Sequence, residues 1–502
     1  MTTTDVPTSA GTGLPSPPPF KPPPGTGHPR AVFAVLALAV FVSTLDSFIV
    51  NIALPAIQED FANSTVADVS WILAAYAIVF AALLVPAGKL GDVIGRRRVF
   101  AAGLGLFGLS SVLCAVAPSL NFLIAARVLQ GAGAAAVIPT SLGLLLPSIP
   151  PQRRAAAIGA WASLGAVGAA SGPPLGGLLT QLSWHWIFIV NVPLVALALL
   201  GTWRVLPEVK DPARPGLPDA LGSAILVAAV SLGTLGLVQG HAWNWDGRVF
   251  GSFIAAGALT AAFIARSKRH PAPVLELSML RVPAFALSSL SAALFYASFS
   301  AMLLGNVLFL TGAWHYSVVL AGLALTPGPI MAAMFAPSAG KLVRRVGPGI
   351  VGGAGALLFG TGSVLWIGLI GPEPTYWTRF FPAMIISGIG VGLAMPAFTI
   401  AGTSTLPPQK LATGIGAQSM FRQIGSTFGV AAFVAIFGTP TAQTLIEAHS
   451  HTRWFNVVAV AGAALALAFI RPPRPDRAPA VPTSPVAQPA SPETRPQEGA
   501  MK

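Results

Sequence analysis

The chain has 502 residues, 54% of them hydrophobic and only 9% charged, with a mean hydropathy of +0.73. So little polar residue cannot coat a soluble fold, which excludes the soluble globular classes and places the chain in a bilayer. The formal charge of +13 does not point to nucleic acid, because the basic residues lie between apolar segments of spanning length, and the single Cys114 excludes a disulfide framework and a cysteine metal site.

In chain order, residues 1–30 are rich in Pro, Thr and Ser and are expected to form a disordered tail. Apolar stretches of roughly 20 residues, enough to cross about 30 Å of hydrocarbon, follow at 32–56, 70–88, 99–118, 121–146, 156–180, 185–205, 219–239, 249–265, 284–311, 316–339, 349–371, 379–405, 412–438 and 454–471. These fourteen predicted helices describe an all-α polytopic membrane protein. Residues 472–502 are expected to form a second disordered tail. No cleavable signal peptide is expected, since the first apolar run begins late and is long enough to span.

With the N-terminus in the cytoplasm and strict alternation, 24 of the 29 Lys and Arg fall on the inner side, three (Arg248, Arg379, Arg453) in outer loops and two within helices. That is the positive-inside pattern, and it implies cytoplasmic termini in a cell inner membrane. Trp184, Trp186, Trp243, Trp245, Trp314, Trp377 and Trp454 then fall at outer helix ends, where an indole buries its ring and keeps its N–H wet. His449 and His451 fall in an outer loop with no third ligand signalled, so no metal site is expected.

Fragments of the chain repeat. "RVLQGAGAAAVIPT" in helix 4 is echoed by "IISGIGVGLAMPAFT" in helix 12, with Gly131 and Gly388, Gly133 and Gly390, and Pro139 and Pro396 all 257 apart. "GKLGDVIGRRRVF" at 88–100 is echoed by "GKLVRRVG" at 340, displaced by 252. The expected organisation is a six-helix bundle over 31–206, a linker with two extra helices over 207–283, and a second six-helix bundle over 284–471. Duplicated membrane halves around a midplane site are a transporter architecture.

Asp46 is a carboxylate well inside helix 1, costly there unless it is neutral, paired or facing water. Two readings stand: a proton carrier, or a permanent hydrogen bond to a neighbouring helix. Asn51, on another face, is expected to bond across helices. In the loop after helix 2, Gly88, Gly91 and Gly95 suit a tight turn, while Lys89, Asp92, Arg96, Arg97 and Arg98 suit an ion-pair network and a topology anchor.

Arg127 in helix 4 either pairs with Asp46 across the central cavity or snorkels to the outer interface, and Gln130, on its face, is a candidate to line the same cavity. In helix 5, Gly168, Gly172, Gly176 and Gly177 with Pro173 and Pro174 read as a hinge or a tight seam between the halves. Tyr76, Asn306, Gln418 and Phe421 are candidate cavity-lining residues, with ordinary packing as the alternative, and Arg422 faces the cavity or pairs locally.

"GKLGDVIGRRRV" resembles the helix 2–3 loop signature of the major facilitator superfamily, and "LDSFIVNIALPAI" (45–57) the helix-1 signature of its fourteen-helix drug:proton antiporters. "RVLQGAGAA" (127–135) and "GAASGPPLGG" (168–177) are similar to the family's helix-4 and helix-5 motifs, and "FRQIGSTFG" (421–429) is the best piece in the second half. The resemblance implies that helices 1 and 4 are neighbours, that the loop network latches the halves on the cytoplasmic side, and that the helix-5 motif accompanies export.

The sequence therefore describes a transporter, not an enzyme, with no cofactor. The expected activity is efflux of small amphipathic or cationic organic compounds in exchange for protons, by a monomer whose partners are its substrate, protons and lipid. An uptake symporter, a uniporter and a non-transporting sensor are the competing readings.

Overall fold

The computed structural model describes residues 28–470, apart from 62–63, 151–152, 211–216, 370, 408–409 and 442. The expected tails therefore lie outside the described residues, save for 28–30. Every regular element among the described residues is helical. The first half holds α1 (Pro29–Asp60), α2 (Val66–Ile94), α3 (Arg96–Ala115), α4 (Leu120–Leu145), α5 (Arg154–Leu182) and α6 (Trp186–Val205). Between the halves lie α7 (Ala220–Val238) and α8 (Gly247–Arg269). The second half holds α9 (Pro283–Gly312), α10 (Val318–Val346), α11 (Pro348–Leu369), α12 (Tyr376–Thr403), α13 (Leu411–Phe437) and α14 (Leu445–Ala468).

Twelve helices among the described residues are long and apolar enough to cross a membrane. Two expected spans are outside that set: α5, which has 29 residues, and α14, whose first turns are diluted by Glu447, His449, His451 and Arg453. Those polar residues look like a loop in the sequence, and the structure corrects that reading. His449, Thr452, Arg453 and Asn456 recur every three or four residues on one buried face of α14, and Trp454 lies within the helix on its exposed side. His449 is buried and His451 exposed, so the two do not converge on a metal.

Each half packs on itself, and the halves meet mainly along α2 against α13 and α5 against α10. In the first contact, Ala74, Ile78 and Ala82 of α2 share an apolar cluster with Ala417 and Met420 of α13. α7 and α8 pack on each other, with α7 also against α2 and α13. A staple at one end holds this pair: Asp219, the N-cap of α7, accepts from Arg266 Nε of α8 at 2.7 Å and from the Gly222 N–H at 2.8 Å. Burial alone would raise the Asp219 carboxyl, but those bonds, with His270 beyond, hold it below the usual carboxylate range. Its contribution is therefore present at neutral pH and lost as pH falls through the lowered value.

The duplication extends to backbone packing. A Cβ on Gly133 would meet the Phe107 nitrogen and the Gly103 carbonyl oxygen, and one on Gly390 would meet the same atoms of Phe359 and Gly355, each 252 residues further on. Gly168 faces the Phe41 carbonyl oxygen, as Gly425 faces that of Ala293. Gly108 faces Val195, as Gly360 faces Val460, the valines being 265 apart. Without a hydrophobic force between helices in lipid, such small-residue seams let backbones approach and gain dispersion contacts.

The helix-5 glycines need a correction. Their four-residue spacing puts Gly168, Gly172 and Gly176 on one face, and that face meets α1 at Phe41, Phe48 and Ile49. The seam is thus inside the first half. Other residues of α5 meet α10 of the second half, among them Gly177, against Val319, and the Pro173 carbonyl, against Gly322. Pro174 lines a 460 Å³ crevice at the same contact, with Val167 and Ser171 opposite Thr326, Ile330 and Met334.

Because the α9–α13 seam leaves no room for a methyl, Gly425→Ala is expected to cost about 1–3 kcal/mol by overpacking. Gly257→Ala, in α8 with nothing within 4 Å of the added carbon, should be neutral or stabilising. Thermal unfolding of the two purified variants beside wild type checks the contrast.

Candidate functional site

α1 carries Asp46 into the centre of the first half, and α4 carries Arg127 and Gln130 to meet it; all three are fully buried. Arg127 Nη1 donates to Asp46 Oδ2 at 2.6 Å and to Gln130 Oε1 at 2.6 Å. Asp46 Oδ1 accepts from Gln130 Nε2 at 2.9 Å and from Asn191 Nδ2 of α6 at 3.0 Å. Ser111 of α3 accepts from Gln130 Nε2 at 2.9 Å. Arg127 Nε donates to the Ile72 carbonyl of α2 at 3.2 Å, and the guanidinium lies 4.2 Å from the centre of the Tyr76 ring.

Five helices converge on this one carboxylate. Snorkelling of Arg127 is ruled out by its burial. Gln130 follows Arg127 by one turn, so both side chains leave the same face of α4. An isolated ion in such a place would cost several kcal/mol, and the pair is held because both carboxylate oxygens and the guanidinium Nε and Nη1 have partners. Chemically, a proton reaching Asp46 removes the negative charge that binds Arg127, and the guanidinium is left with only neutral partners.

Asn191 donates to the carboxylate and Ser111 accepts from both amides that do so, and sequence reasoning missed both. The signal for Asn191 was an amide in the otherwise apolar "FIVNVPL" of α6. Asn51 does not bond across helices; its amide donates to Ser47 of its own helix at 3.1 Å.

The basic loop lies at the end of the bundle where α1 starts. Gly88, Lys89, Gly91 and Asp92 belong to the last turns of α2, so the turn itself falls on Gly95, whose φ of +120° favours glycine. Gly88 and Gly91 instead admit α4, at Pro139 and Thr140. Arg96 binds Asp92 at 2.7 Å and donates to the Gly143 carbonyl of α4 at 2.6 Å. Glu208, beyond α6, accepts from the Arg97 N–H at 3.1 Å and faces Arg98 Nε at 3.5 Å. Lys89 reaches out of the first half and donates to the Pro273 carbonyl at 2.6 Å, in the segment joining α8 to α9. Three residues on, Glu276 binds Lys410 of the second half at 3.1 Å.

Most cavity candidates sit inside packing instead. Tyr76 is buried under Arg127 and stacks on Phe80. Gln418 is buried and donates to the Phe398 carbonyl at 2.9 Å and to Ser288 Oγ at 3.2 Å. Asn306 is buried, with its amide 3.9 Å from the Met384 sulfur, and Phe421 packs on the α2–α13 cluster. Polar groups in a membrane bundle find partners within it, which the sequence does not reveal. Arg422 alone of the second-half candidates combines partial exposure with charge, donating to Ser419 Oγ and lying 5.6 Å from the Tyr296 ring centre. No group of three or more metal-ligating side chains occurs among the described residues.

The sequence profile of the Major Facilitator Superfamily matches residues 36–430. The chain is 31% identical over 458 residues to the probable actinorhodin transporter of Streptomyces coelicolor, covering 88% of this chain and 78% of that one. It is 32% identical over 408 residues to the tetracenomycin C resistance and export protein of Streptomyces glaucescens, covering 81% and 75%. Among solved structures, an inward-facing bacterial homologue of the lysosomal transporter Spinster aligns with a TM-score of 0.65 at 18% identity, over 88% of this chain and 97% of that one.

Removing one partner of the buried pair should be worse than removing both charges. Arg127→Gln is expected to cost about 3–5 kcal/mol by stranding the Asp46 carboxylate. The double variant Asp46→Asn, Arg127→Gln should recover part of that loss in a thermal-unfolding double-mutant cycle.

Proposed function

The chain belongs to the major facilitator superfamily, and on that premise we propose that it exports small amphipathic organic compounds in exchange for protons, with Asp46 as the proton carrier. The observation that carries this reading is the Asp46–Arg127 pair: a fully buried carboxylate held by a fully buried guanidinium on another helix. The two Streptomyces relatives, the probable actinorhodin transporter and the tetracenomycin C resistance and export protein, support transport of organic compounds and export as its direction.

The proton and the substrate act on the same network. With Asp46 ionised, α1, α4 and α6 are tied together through its two oxygens. Protonation loosens the Arg127 bond, and the helices that line the path between the halves relax toward the other access state. A substrate that binds the first state better than the second returns the proton, which is exchange.

In this reading α5 and α14 complete fourteen spans, 31–206 and 284–471 move as two bodies, and α7 and α8 are an insert. The protein acts as a monomer in the inner membrane with both termini cytoplasmic. The Asp92 network is the cytoplasmic latch. Its reach through Lys89 to Pro273, next to the Glu276–Lys410 bridge, links the first half to the second through the connecting segment.

Inside-out vesicles carrying wild type should release protons when a transported compound is added, and Asp46→Asn should abolish that release. Undiminished release by the variant, as a uniporter or a different coupling group would give, rejects Asp46 as carrier. Asp92→Asn should slow transport with expression and topology unchanged; an unchanged rate rejects the latch.

A further inference from the structure

The two halves share a polar layer but not its charges. Using the offsets fixed by the glycine contacts, 252 for α3 and α11, 257 for α4 and α12, and 265 for α6 and α14, Ser111 corresponds to Ser363, Gln130 to Ser387 and Asn191 to Asn456. The α1–α9 seam gives 252 as well, so Ser298 stands where the first half has Asp46. All four second-half residues are buried. The neutral groups around the carboxylate have polar counterparts, while neither the carboxylate nor Arg127, whose position is taken by Met384, has a charged one.

A cation is nevertheless present. Arg453 takes the position of Phe188, one turn from Asn456, and is 6% exposed. Its Nη1 donates to the Trp366 carbonyl at 3.2 Å, and its guanidinium lies 4.8 Å from the Phe309 ring centre. No carboxylate pairs with it among the described residues. Its Nη2 has no hydrogen-bond partner, and neither do Trp366 Nε1, Ser363 Oγ, His449 Nε2 and the Asn456 Oδ1 acceptor. His449 lies edge-on to the same Phe309 ring, 5.1 Å between ring centres.

We infer that the second half binds a small inorganic anion, of the size and charge of chloride, at Arg453. A buried guanidinium without a counter-charge is strongly unfavourable in a membrane protein, and ring faces with one carbonyl offset only part of that cost. An anion supplies the charge that Asp46 supplies in the first half and accepts from the unpartnered N–H and O–H groups. The closed surroundings of α9, α11, α13 and α14 restrict it to a small, monovalent species. Held there, the ion is structural, fixing α14 to α11, and is not the transported compound.

The test is the thermal midpoint of the purified full-length protein, with sodium chloride or sodium bromide replaced stepwise by sodium gluconate at constant ionic strength. Wild type and Asp46→Asn should show a saturable rise with halide, since a ligand that binds only the folded state stabilises it. Arg453→Gln should lose the rise. Trp366→Phe keeps the ring, removes one N–H and should need severalfold more halide, which provides the answer if Arg453→Gln does not fold. Midpoints that are equal in halide and gluconate, or halide titrations that coincide for wild type and the variants, overturn the site.

Discussion

The structure turns on burying one ion pair in hydrocarbon. Asp46 and Arg127 meet at 2.6 Å with neither exposed, and neither would be tolerated there without the other. Their requirements dictate much of the first half. Two amides and a hydroxyl must arrive from α3, α4 and α6, α2 must offer a carbonyl and an aromatic face, and α1 must lie close enough to α5 for its backbone to be covered. The Gly168–Gly172–Gly176 seam provides that approach directly behind Asp46. Packing and electrostatics are thus one problem: the glycines bring together the helices whose polar groups make the charge bearable.

Duplication gives this arrangement its direction. The second half repeats key contacts of the seams, Gly425 on the Ala293 carbonyl as Gly168 on that of Phe41, yet places Ser298 where Asp46 would be. The scaffold is shared and the titratable centre is not. In the proposed cycle one such centre gives a simple coupling logic, because a proton on Asp46 would change the charge of one half while the other keeps its own. The segment between α8 and α9 is tied to Lys89 of the first half and to Lys410 of the second, beside the direct contacts of α2 with α13 and α5 with α10.

Much of this was legible in the sequence where a charge interrupted an apolar run. Asp46, Arg127 and the basic loop stood out for that reason, and the repeated glycines gave the duplication. What stayed hidden followed from physics that spacing does not encode. Glu208 was one acid in a long connecting stretch, and only the fold brings it to Arg97 and Arg98. The polar start of α14 resembled a loop because its buried face of His449, Arg453 and Asn456 is paired with exposed Glu447 and His451. The cavity candidates were amides and aromatics, residue types that a membrane bundle uses for internal bonds as readily as for binding.

The central claim is that Asp46 changes protonation during the cycle. Infrared difference spectroscopy of the protein in lipid, recorded as a transported compound is added at a pH where the carrier is protonated, observes that carboxyl directly. The account predicts loss of a protonated-carboxyl C=O band in wild type and its absence from the difference spectrum of Asp46→Asn. A spectrum without that band in wild type, or the same band in the variant, would contradict it.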